Sequence, residues 1–173
     1  AEQWRAAEQL AQRHADDPDP LQSALGWAWM AGVLRAQDNL PGAGAAYRKA
    51  IEQQPERLAY QLAAADLLID MENYVEAAQL LDQAALSSPE HRVLLFKRAY
   101  LAQMSGEAAL AEQRYRALLR QSPEWALPLV NLSELLAAEP AQLAEALQLA
   151  QQAAELTPGW ADSQWNLAQR AWQ

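Results

Sequence analysis

Four stretches of the chain end alike: IEQQPER, ALSSPEH, LLRQSPEW and AELTPGW. Their prolines, Pro55, Pro89, Pro123 and Pro158, lie 34, 34 and 35 residues apart. A period of this length demands stacked supersecondary units, because each unit buries its apolar face only against its neighbours. The composition says what the units are made of. Of 173 residues, 39 are Ala and 28 are Leu, while Val, Ile and Thr together number seven. Ala and Leu favour helices; strands need the β-branched residues this chain lacks. The expectation is an all-α chain of repeated helix pairs.

With the proline as position 32, the sequence predicts units at 24–57, 58–91, 92–125 and 126–160, each holding two helices of about 13 residues. The extra residue of the fourth unit falls in its mid-repeat turn, Glu139-Pro140-Ala141. Position 8 carries Ala31, Ala65, Ala99 and Ser133; position 20 carries Ala43, Ala77, Ala111 and Ala146. Position 27 carries Ala50, Ala84, Leu118 and Ala153. Small residues at fixed places let neighbouring helices approach closely. Large apolar residues, Tyr47, Leu81 and Tyr115 at position 24 among them, fill the remaining core. Gly106 lies in a mid-repeat turn, where a helix end favours a left-handed residue.

In period and small-residue positions, residues 24 to 173 resemble the tetratricopeptide repeat (TPR) family. The resemblance implies a right-handed α-solenoid of antiparallel helix pairs, A and B, with about four full repeats plus flanking helices. Position 7 departs from the family's usual Leu with Met30, Ala64 and Arg98. Arg98 is the oddest, and is expected to keep its stem packed and its head in water. Residues 1–23 read as a degenerate half-repeat: a helix over 1–15 with Trp4, Ala7, Leu10 and Ala11 on one face, then a turn. Residues 161–173 match an A-type helix without its B partner. Trp165 and Trp172 suit a solenoid cap poorly, so the array is expected to continue in a longer protein.

No catalytic or metal constellation emerges. There is no Cys, and the two histidines, His14 and His91, lie far apart in sequence. The glycines form no phosphate loop, and no serine sits in a nucleophile motif. Asp66 and Asp70 share a helix face, where solvated carboxylates are the plainer reading than acid–base work. A non-enzyme with no cofactor is expected. The net charge of −9 opposes binding to nucleic acid or to anionic membranes. The longest strongly apolar run, residues 25–34, is about half a bilayer span, so direct membrane insertion is not expected. The charge is uneven: six basic and two acidic residues within 92–120 make a local +4. A solvated outer face explains it most simply, and a dock for an acidic partner or second copy is the alternative.

Function is then expected on a surface. The resemblance implies a concave groove lined by A helices that takes a peptide or helix of a partner protein. Mapping the family's groove positions onto this chain gives Leu62, Asp66, Ile69, Asp70, Val93, Phe96, Tyr100, Met104, Val130, Glu134 and Trp165. The apolar members would form a stripe and the three acids would flank it. The expected partner segment is therefore apolar or amphipathic and carries Lys or Arg. The basic clamp by which some family members grip acidic chaperone tails is absent, with only Lys97 basic at the corresponding places. The alternatives are a structural or homo-oligomerising module of a larger multi-repeat protein, or a regulatory segment of an enzyme. Arg outnumbers Lys eleven to two. That bias is similar to that of high-GC bacterial chains, and the resemblance to bacterial repeat proteins of the cell envelope implies the envelope or periplasm ahead of the cytoplasm.

Overall fold

The computed structural model describes residues 2–157. Among them run nine helices: α1 (Glu2–Ala15), α2 (Pro20–Ala36), α3 (Leu40–Gln53), α4 (Leu58–Asp70), α5 (Tyr74–Ser87), α6 (Arg92–Met104), α7 (Ala108–Gln121), α8 (Ala126–Ala137) and α9 (Leu143–Leu156). A 3-10 turn, Pro140–Gln142, precedes α9, and no strand occurs among the described residues. The chain divides into two compact units, Ala1–Lys97 and Arg98–Gln173.

In the first unit each helix from α1 to α5 packs on the next; in the second, α7 packs on α8 and α8 on α9. The small positions hold these contacts together. Ala31, Ala43, Ala50, Ala65, Ala77 and Ala84 of the first unit are buried, as are Ala99, Ala111, Ser133, Ala146 and Ala153 of the second. Tyr47, Leu81 and Tyr115 are the buried large residues of position 24. Arg98 is half-buried.

The mid-repeat turns share one backbone device. Asp38, Glu72 and Gly106 all occupy position 15 and all have positive φ, 62°, 57° and 83°. The amide after each bonds back to a carbonyl five residues earlier: Asn39 to Leu34 (2.9 Å), Asn73 to Leu68 (2.8 Å) and Glu107 to Ala102 (2.8 Å). This closes the end of each A helix with a left-handed residue. In the fourth repeat position 15 is Pro140, whose ring fixes φ near −65° and forbids that geometry. The chain instead winds through the 3-10 turn and uses the extra residue there. Glu72 carries the left-handed conformation without the short side chain that eases it for Asp. Glu72→Gly is therefore expected to raise stability by about 0.5–1 kcal/mol in urea unfolding, against the usual loss on inserting glycine.

The N-terminal break differs from expectation. The repeat frame begins at residue 24, but α2 starts at Pro20, because Asp19 accepts a hydrogen bond from the Leu21 amide (3.0 Å) and Pro20 suits a first helical turn. The face of α1 also needs correction. Trp4 and Leu10 are exposed, and Ala11 and Ala15 are the buried residues. Gly26 of α2 lies against the backbone of Ala11, His14 and Ala15, a closeness that leaves no room even for a Cβ. The start of α2 meets the end of α1 through Ser23 Oγ, which donates to the Ala15 carbonyl (2.9 Å). Beyond its other end, Gln37 donates to Glu8 (2.7 Å), so the two helices run antiparallel.

Candidate functional site

The groove residues expected from the sequence fall on the first helix of each pair, and the two units treat them differently. In the first unit Leu62 and Val93 are half-buried, whereas Ile69 is 2% and Phe96 7% exposed. Ile69 and Phe96 therefore belong to the core, not to an open stripe. Helix α4, LAYQLAAADLLID, is apolar nearly all round, so its periodicity does not reveal which side stays open.

The acids of this unit also differ from expectation. Asp66 pairs with Lys97 Nζ at 2.6 Å, and Asp70 pairs with Arg35. Each pair joins neighbouring A helices, α4 to α6 and α2 to α4. Arg35 and Asp70 are each more than two-fifths exposed, so their pair contributes less than about 1 kcal/mol. Its importance is electrostatic: the two carboxylates already hold cations and present little net negative charge to a partner.

In the second unit a buried tyrosine links three helices. Tyr115 of α7 is fully buried, and its hydroxyl donates to Gln103 Oε1 of α6 (2.8 Å). The same oxygen accepts from Asn131 Nδ2 of α8 (3.0 Å). Desolvation pushes the Tyr115 phenol well above its ordinary range, and the Asn131 hydrogen bond opposes this. The charges of Tyr100 and Glu134 act in the same direction as burial. On α6 and α8, Tyr100 and Val130 are half-buried and Met104 is 42% exposed. Glu134 forms no ion pair among the described residues. It is exposed overall, yet desolvation by surrounding atoms raises its carboxyl above the ordinary value. Trp165 lies outside the described residues.

Asn131 and the Tyr115 hydroxyl are not among the site residues expected from the sequence. Tyr115 reads from sequence as core filler, and nothing in the repeat pattern distinguishes Asn131 from a solvated polar residue.

The basic stretch 92–120 is largely engaged within the chain. Lys97 holds Asp66, and Arg114 donates to the Arg98 carbonyl (2.7 Å). Arg116 donates to Glu112 (2.8 Å) and to both carboxylate oxygens of Glu145 (2.6 and 3.1 Å), tying α7 to α9. These bonds, those to Glu145 first, raise the guanidinium pKa further and depress that of Glu145. Among the described residues no group of three His, Asp or Glu side chains could hold a metal ion, and no helix is long and apolar enough to cross a membrane.

No family model and no curated protein matches the sequence. Solved structures do. YrrB, a TPR protein with an unusual peptide-binding site, is 23% identical at TM-score 0.57, over 80% of this chain and 71% of that one. Pseudomonas aeruginosa PilF is 19% identical at TM-score 0.65, over 89% and 76%. MamA from Desulfovibrio magneticus RS-1 is 11% identical at TM-score 0.64, over 92% and 97%. Identities this low speak to fold alone. With the 34-residue period, the buried alanines and the paired helices, they identify the chain's fold as the all-α helical solenoid of the tetratricopeptide-repeat proteins.

Proposed function

We propose that this chain is a non-catalytic protein-interaction scaffold that binds a peptide or helix of a partner protein on its A-helix face. The observation that carries the reading is the surface around Tyr115. A buried hydroxyl fixes the amide groups of Gln103 and Asn131 on α6 and α8, the helices that also carry the partly open Tyr100, Met104 and Val130. Oriented amides offer hydrogen bonds to a partner backbone, and aromatic and Met side chains offer adaptable apolar contact. The likeness in fold to YrrB supports a peptide ligand by analogy.

The partner's charge narrows with this reading. Asp66 and Asp70 have cations of their own, so Glu134 is the acid left to receive a Lys or Arg. A partner segment with one basic residue near an apolar one fits better than a polybasic segment.

Alanine at Phe96 would disturb the core, so the test uses surface positions. The double variant Tyr100→Ala/Glu134→Lys is expected to keep the wild-type melting temperature within a few degrees. It is expected to lose the partner captured by the wild-type chain from a lysate of its source and cross-linked to α6 or α8. Cross-linking mass spectrometry would locate the contact. A folded variant that captures the same partner in the same amount would refute the reading.

A further inference from the structure

We propose a second binding site on the opposite chemical principle: a cleft between α7, α8 and α9 that takes an acidic peptide segment bearing a large apolar side chain. It lies wholly within the second unit and does not rest on the A-helix reading.

The cleft encloses about 330 Å³. Its accessible apolar surface comes from Leu119 on α7 and Leu149 on α9, both half-buried, over a packed base of Leu129 and Leu132 on α8; Arg116 and Arg120 of α7, with Pro123 and Gln152, complete it. The two arginines differ. Arg116 is locked by Glu112 and Glu145, which bridges α7 to α9 and offsets its charge. Arg120, one turn on, is exposed, and its guanidinium has no partner among the described residues. Two half-buried leucines with one free guanidinium beside them favour a carboxylate next to an apolar group.

The size and shape choose the ligand class. Small-molecule sites run from about 300 to 1,000 Å³ and bury most of their ligand. This cleft is at the lower limit and open on one side, so it suits one large side chain of a chain lying across it. The corresponding places between α3 and α4 carry Glu52 instead of Arg120, and Gln61 and Ala64 instead of Leu129 and Leu132. The combination of free arginine and leucine floor is thus particular to the second unit.

The experiment is fluorescence anisotropy on the full chain with two labelled octapeptides, one alternating leucine and glutamate, the other leucine and lysine. The glutamate peptide is expected to bind saturably and in preference to the lysine peptide. Arg120→Glu should weaken it at least about tenfold, because the charge-assisted contact becomes repulsive. Leu149→Gln should weaken it separately by removing part of the floor. Both variants are checked for an unchanged helical circular-dichroism spectrum, and Arg120, being exposed, keeps the test valid if Leu149→Gln unfolds. Tyr100→Ala/Glu134→Lys should bind the glutamate peptide as the wild type does. Three results each overturn the proposal: equal binding by Arg120→Glu, preference for the lysine peptide, or no saturable binding up to about 1 mM peptide.

Discussion

Tyr115→Ala is expected to destabilise the chain by about 3–5 kcal/mol, the range found when a buried aromatic is truncated. The residue is fully buried, so the neighbouring helices must either collapse into the space or leave it empty. The variant also strips Gln103 of its donor and Asn131 of its acceptor. Tyr115→Phe separates the two effects. It keeps the ring volume and removes only the hydroxyl, so a loss of about 1–2 kcal/mol is expected. In that variant the Asn131 and Gln103 amides lose their common anchor, and partner affinity should fall more than stability does. Urea unfolding together with binding to the captured partner separates the two. A Phe variant with wild-type affinity would show that the buried hydroxyl does not organise the surface.

Gly26→Ala is expected to detach α1 from α2. In an open helix the change would stabilise by about 1 kcal/mol, because glycine is the poorer helix former. Here the added Cβ would lie 2.1 Å from the Ala15 nitrogen, 2.5 Å from the His14 carbonyl carbon and 2.8 Å from the Ala11 oxygen. All three are backbone atoms, which have no rotamer by which to yield. Relief requires α1 to shift as a whole, at a cost toward the upper end of the roughly 1–3 kcal/mol typical of overpacking. The same shift would break the Ser23 bond to Ala15 and the edge contact of His14 with Trp29, whose rings are 4.9 Å apart. Hydrogen exchange should show faster exchange of the α1 amides while α4 and α5 stay protected. Greater stability in the variant would mean that the helices are not held this closely.

Both residues show where pattern reading stops. Tyr115 sits at a repeat position that also holds Tyr47 and Leu81, with Ala150 as the exception, so its place in the core follows from the period. Its hydrogen-bonding role does not, because the partners come from α6 and α8, 12 residues before and 16 after it. Gly26 precedes the close-packing position of its own helix by five residues and belongs to no recurring small position. It matters because a helix outside the repeat frame lies against it.

The acids tell the same story. Asp66 and Asp70 share a helix face by simple spacing, and from that face they looked like charge offered to a ligand. Their cations, Lys97 and Arg35, lie on other helices. No local rule reveals such pairs, since each needs two elements already docked. Ile69 and Phe96 lie in the core for a related reason: on helices packed on more than one side, an apolar residue has no single outward direction.

What the sequence determined by itself is the architecture. A 34-residue period, alanine at its close-packing positions and a turn proline in each unit leave room for little except stacked helix pairs. It even carries the irregularity of the fourth turn, since Pro140 occupies the place where the others need a left-handed residue. These signals are local or periodic, and backbone geometry obeys them directly. Tertiary structure alone decided which A-helix residues remain open, which charges are already paired, and that a buried tyrosine hydroxyl sets the amides of two other helices. Those properties depend on which surfaces meet, and burial and charge compensation are set only once they have met.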